Sequence, residues 1–176
     1  MSDHVSPAPP APMYTAPRDA ARALLRHTLA TLAYRASKVL RDAPATFADF
    51  RIGPTTRTPV QILTHMGDLF DWALTTAQDR TAWHDSQPRA WPEEVDRFFA
   101  TLSALDAYLA GPAPLSDGVV ERLFQGPVAD ALTHTGQLTM LRRLAGHPVR
   151  GENYQRAEIV VGRTGIAQAD SRVEFD

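Results

Sequence analysis

Proline stands in the first turn of each of four long amphipathic stretches, at Pro17, Pro59, Pro92 and Pro127, and this placement constrains the fold more than any other feature. A residue with no amide hydrogen and a preset φ suits the start of a helix and disrupts its interior. The first stretch, over residues 17–43, has no glycine and places Leu25, Leu29, Leu32, Ala36 and Val39/Leu40 at helical spacing. In the second, Thr58-Pro59-Val60-Gln61 has the form of a capping box, which predicts a helix to about Gln78 with Ile62, Met66, Leu69 and Ala73 inward. The third opens at Trp91-Pro92-Glu93-Glu94, its acids at the positive end of the helix dipole, and buries Val95, Phe98/Phe99, Leu102, Leu105 and Leu109 before Gly111-Pro112. The fourth, Gly126–Pro148, buries Ala131, His134, Leu138, Leu141 and Ala145. Arg142-Arg143 lie near its negative end and Gly146 is its C-cap. VVERLFQ is a short helical lead-in, and Pro127 either kinks that lead-in or opens a new helix.

The intervening segments are connectors. PATFADFRIGPTT, over residues 44–56, carries Phe47, Phe50 and Ile52 as plugs onto the core, and RTAWHDSQPRA is a polar loop. In the C-terminal part the run Ile159-Val160-Val161 is too short and isolated for a sheet, so an extended segment laid against the helices is expected. Residues 1–16, rich in proline and poor in large apolar groups, read as a flexible tail. The expectation is therefore an all-α, antiparallel four-helix bundle over 17–148, preceded by the Pro-rich tail 1–16 and followed by an extended C-terminal segment, 149–176, packed on it.

A chain of 176 residues holds one domain with a proper core. Its formal charge of -2 gives no electrostatic case for a nucleic-acid partner. With no cysteine there is no disulfide, no thiolate ligand and no thiol nucleophile, so any metal is held by nitrogen and oxygen. No apolar run is long enough to span a membrane and no leader pattern is present, which gives the expectation of a soluble, cytoplasmic protein.

Asp130 and His134 in the fourth stretch are four residues apart, so carboxylate and imidazole point the same way from one helix face. His65, on the edge of the second stripe, faces the interior and is the candidate third ligand. Two imidazoles and one carboxylate suit a divalent ion, Zn, Ni, Fe or Mn, with positions left open for water or substrate. The competing reading makes His134 a core histidine bonded to a neighbouring threonine or backbone carbonyl, with Asp130 paired to an arginine at the helix start. His27 reads as a rim histidine. His4, His84 and His147 fall in the tail, a loop and a post-helix turn, where His147 helps terminate the helix.

THMGDLFDWAL in the second stretch, ALTHTGQLTMLRRLAG in the fourth and RGENYQRAEIVVGR after it resemble the DinB/YfiT-like superfamily over most of the chain beyond the tail. The resemblance implies a four-helix bundle, a homodimer, and a divalent-metal site made by one histidine of helix 2 and a pair four apart on helix 4. It places His65 and His134 on two ligands and Asp130 where the family usually has histidine, a departure that changes metal preference more surely than it abolishes binding. It further implies an enzyme that activates a low-molecular-weight thiol for transfer to a small electrophilic substrate, a metal-dependent thiol transferase. Arg142, Arg143, Arg150, Arg156 and Arg163 either hold the carboxylates of such a thiol or form a solvated basic face. A metal-dependent hydrolase, with Asp68 as base unless it is a surface residue, is one alternative. A non-enzymatic dimeric bundle with a structural polar cluster is the other.

Overall fold

The computed structural model describes the backbone of residues 16–116 and 118–175 and the side chains from Ala20 onward. The tail expected over 1–16 lies, but for Ala16, outside the described residues. The chain is mainly helical: α1 (Ala16–Leu40), α2 (Pro59–Ala77), α3 (Trp91–Ala110), α4 (Val119–Leu123) and α5 (Ala129–Leu144). Helix α2 packs most extensively on α3, α1 lies against α3 and α5, and α2 also meets α5. The apolar positions expected from sequence are buried nearly throughout, and Leu29, Leu32, Leu63, Met66, Phe70, Phe98, Leu102 and Leu138 form the centre of the core. No described helix is long and apolar enough to cross a membrane.

The boundaries follow local chemistry. Thr58 and Gln61 make the reciprocal capping box at the start of α2, with Pro59 in its first turn. At the end of α5 the His147 amide donates to the Arg142 carbonyl at 2.9 Å and the Gly146 amide to that of Arg143 at 3.1 Å, with Gly146 at φ 80°. This is a Schellman motif around a left-handed glycine, as expected of Gly146. Pro127 neither breaks nor restarts the fourth helix. It sits inside a π-helical segment, Phe124–Val128, that joins α4 to α5 in one run. The wider turn spares the backbone the hydrogen bond that proline cannot donate.

Three expectations are corrected here. Ile52 is not a core plug: it is 57% exposed, while Phe47 is buried against Trp91 and Phe50 is half-buried. Arg142 is not a solvated charge: it is buried, donating to the Val39 carbonyl at the end of α1 and to the His147 carbonyl, so it ties two helix C-termini together. The C-terminal part is more folded than an extended strap. Residues Gly151–Glu152 (β1) pair antiparallel with Glu174–Phe175 (β2). Glu152, buried, accepts from the Tyr34 hydroxyl at 2.7 Å and from Lys38 at 3.0 Å, and Lys38 also bonds Glu174 at 2.6 Å. That clasp fixes residues after α5 onto α1.

Candidate metal centre

Helix α5 delivers Asp130 and His134 from successive turns of one face, and α2, which meets α5 side by side, delivers His65. The three converge. Asp130 Oδ2 stands 3.3 Å from His65 Nε2 and Asp130 Oδ1 3.4 Å from His134 Nε2, so the carboxylate spans both rings. The two imidazoles cross edge to face, centroids 5.0 Å apart, and the three donor atoms lie within 4.8 Å of one another. His134 is buried, His65 less so, and the Asp130 side chain is 45% exposed. The centre therefore has a closed helical floor and an open side.

His134 Nδ1 lies 2.7 Å from Gln137 Oε1, one helical turn further along α5. An amide oxygen only accepts, so this contact puts the proton on Nδ1 and leaves the Nε2 lone pair facing Asp130 and His65. Gln137 was missed in the sequence, although its spacing three residues after His134 is the signal that finds it. Trp83, from the loop between α2 and α3, packs edge-on to His65 at 5.7 Å and to Trp72 at 5.9 Å.

The separations are compatible with two uses of these groups. Asp130 Oδ2 and His65 Nε2 form a long hydrogen bond at 3.3 Å, and Asp130 Oδ1 lies 3.4 Å from His134 Nε2, so the three side chains form a polar cluster as they stand. One ligand atom from each also lies within 4.8 Å of the others, and two imidazoles with one carboxylate are a donor set that could hold a small divalent cation. The competing reading from sequence is met in part: His134 is a buried, hydrogen-bonded histidine, but its partner is the Gln137 side-chain amide rather than a threonine or a backbone carbonyl, and Asp130 faces two histidines rather than an arginine.

No protein-family model, curated protein or solved structure matches the chain. The chemistry of the centre therefore rests on its own geometry. A second group of ligand types, Asp68, Asp71 and His84, also clusters within 4.8 Å. Its cation is already in place. The Arg97 guanidinium bonds Asp68 and reaches Asp71 at 2.8 Å, with His84 Nε2 3.2 Å from Asp68.

Asp68 corrects a sequence expectation. It is neither a surface residue nor a free base: it is 3% exposed and accepts from the Ser86 amide at 2.9 Å, the Ser86 hydroxyl at 2.7 Å and Arg97. Burial pushes its pKa up, but the bonds from Ser86 and Arg97 outweigh burial and hold the carboxyl below its ordinary value. Of the five C-terminal arginines singled out in the sequence, all but Arg156 are committed elsewhere. Arg142 is interior, Arg143 donates to the Val149 carbonyl, Arg150 pairs with Glu174 and Arg163 with Glu158. Arg57 is the guanidinium that lines the cavities flanking His65 and His134.

Proposed function

We propose that this protein is a DinB-like, divalent-metal-binding four-helix bundle with antiparallel neighbours. In this reading His65, Asp130 and His134 hold the ion, Zn, Ni, Fe or Mn, and the reaction is transfer of a low-molecular-weight thiol to a small electrophilic substrate. The observation that carries the reading is the convergence of His65, Asp130 and His134 from two helices, with one ligand atom of each within 4.8 Å of the others and the carboxylate 3.3 and 3.4 Å from the two imidazoles. A divalent ion held there supplies Lewis acidity, which lets an external thiol ionise near neutral pH although the chain has no cysteine of its own.

The surrounding residues supply position. Gln137 fixes the His134 tautomer, Trp83 walls His65, and the half-exposed side of Asp130 leaves the approach open. Asp68, saturated by Ser86 and Arg97, takes no part in proton transfer, and this removes the base that a hydrolase reading assigned to it. Two copies of the chain forming a homodimer belong to the same proposal, as does a cytoplasmic setting.

The test is elemental analysis of protein purified without a metal-affinity tag, beside His65→Ala and His134→Ala. Near-stoichiometric metal in the wild type, lost in both variants, is expected. No metal in the wild type after incubation with Zn, Ni, Mn and anaerobic Fe(II) overturns the reading in favour of a structural polar cluster.

A further inference from the structure

On the His134 side of the centre lies a cavity of about 460 Å³ whose wall is mainly apolar, with Ile52, Ile62, Met140 and Leu141 along it. Its volume is that of a small-molecule site. Ile52 and Met140 are each 57% exposed at its edge, an arrangement that leaves hydrocarbon facing water unless something covers it. The polar groups lining it include Arg57, Gln137 and His134, and no acidic side chain lines it among the described residues. The His65 side is different. There a polar hollow of about 270 Å³ has Gln61, Thr64, Asp85 and Ser86 in its wall, and Arg57 lines that one too.

Arg57 is exposed, and among the described residues it makes no side-chain hydrogen bond or ion pair. Guanidinium groups elsewhere in the molecule are mostly tied to a carboxylate or a backbone carbonyl, as Arg22, Arg26, Arg97 and Arg142 are. An uncommitted guanidinium above an acid-free apolar wall selects an anion with a hydrocarbon body.

We propose that the small substrate of this centre is an amphipathic monoanion, an aliphatic or aryl carboxylate in chemical class. Its hydrocarbon part lies on Ile52, Ile62, Met140 and Leu141 and its anionic end on Arg57. The inference rests on the metal reading only for which end of the molecule reacts; recognition itself uses this chain's side chains. The neighbouring polar hollow then remains for a hydrophilic second reactant.

The test is calorimetric titration of the full chain, chelator-treated, with straight-chain carboxylates from pentanoate to octanoate and with octanol, alongside Arg57→Gln and Ile52→Asp. Affinity is expected to rise by about fourfold per methylene. Octanoate should bind at least tenfold tighter than octanol, and Arg57→Gln should remove that difference while circular dichroism shows an unchanged fold. Ile52→Asp should weaken every member of the series. Equal affinity for octanoate and octanol, no dependence on chain length, or wild-type behaviour in Arg57→Gln each overturns the proposal. Metal content is measured in parallel on portions of the same preparations taken before chelator treatment. Absence of metal with graded carboxylate binding defeats the metal reading alone, and full metal with no graded binding defeats the substrate class alone.

Discussion

Gln137 decides which nitrogen of His134 faces the centre, through a 2.7 Å contact at Nδ1. Gln137→Ala is expected to lower metal affinity by roughly 10–100-fold, because an outer partner of a ligating histidine sets both ring orientation and basicity. Competition against a chromophoric chelator measures it, and the unfolding midpoint should barely move, since Gln137 is exposed. Asp130→His tests the carboxylate from the other side: the ion should be retained, with preference shifted from Mn towards Zn and Ni. The convergence of His65, Asp130 and His134 was legible in the sequence because two members share a helix face and the third lies at the edge of an apolar stripe. Arg57 was not, since nothing local marks an exposed arginine before a capping box as the lining of a cavity.

Among elements, the link between α2 and the loop that follows it is set by Asp68. Its partners come from Ser86 and Arg97, residues that only tertiary packing brings near, which is why helical periodicity gave no hint that this carboxylate is interior. Removing it takes three charge-assisted bonds from Ser86 and Arg97 but leaves Arg97 paired with Asp71, so Asp68→Ala is expected to cost about 1–3 kcal/mol in urea-monitored stability. The pH dependence has a definite sign. Because the folded carboxyl titrates below its ordinary 3.8, its contribution is present above that pH and is lost as pH falls through the folded value. Stability of the wild type should decline over that acid range more steeply than that of Asp68→Asn. The start of α2 and the end of α5 were both readable, since a capping box and a left-handed glycine act within a few residues. The π segment was not. Proline at 127 announced an irregularity, but whether the chain kinks, restarts or widens by one residue depends on the faces that α4 and α5 must both bury.

For the molecule as a whole, helical class and core were legible because apolar spacing reports burial directly. The clasp of the C-terminal part was not, because Glu152 meets Tyr34 and Lys38 across more than a hundred residues of chain. Burial first, and then the bond to Glu152, push the Tyr34 phenol up to about 12. Between pH 10 and 12 the unfolded chain loses this proton while the folded one keeps it, so the stability present below pH 10 is lost as pH rises. Unfolding midpoints at pH 9 and pH 11 should therefore differ more in the wild type than in Tyr34→Phe. Gly151 belongs to the same clasp: a Cβ there would stand 2.5 Å from the Phe175 ring, so Gly151→Ala should loosen the β pair. Trp83, edge-on to both His65 and Trp72, gives the molecule a built-in optical gauge. An open-shell ion such as Mn, Fe or Ni beside that indole pair would darken its emission, while closed-shell Zn would leave it bright, so the intensity of the protein's own light would separate these two classes when metal is added.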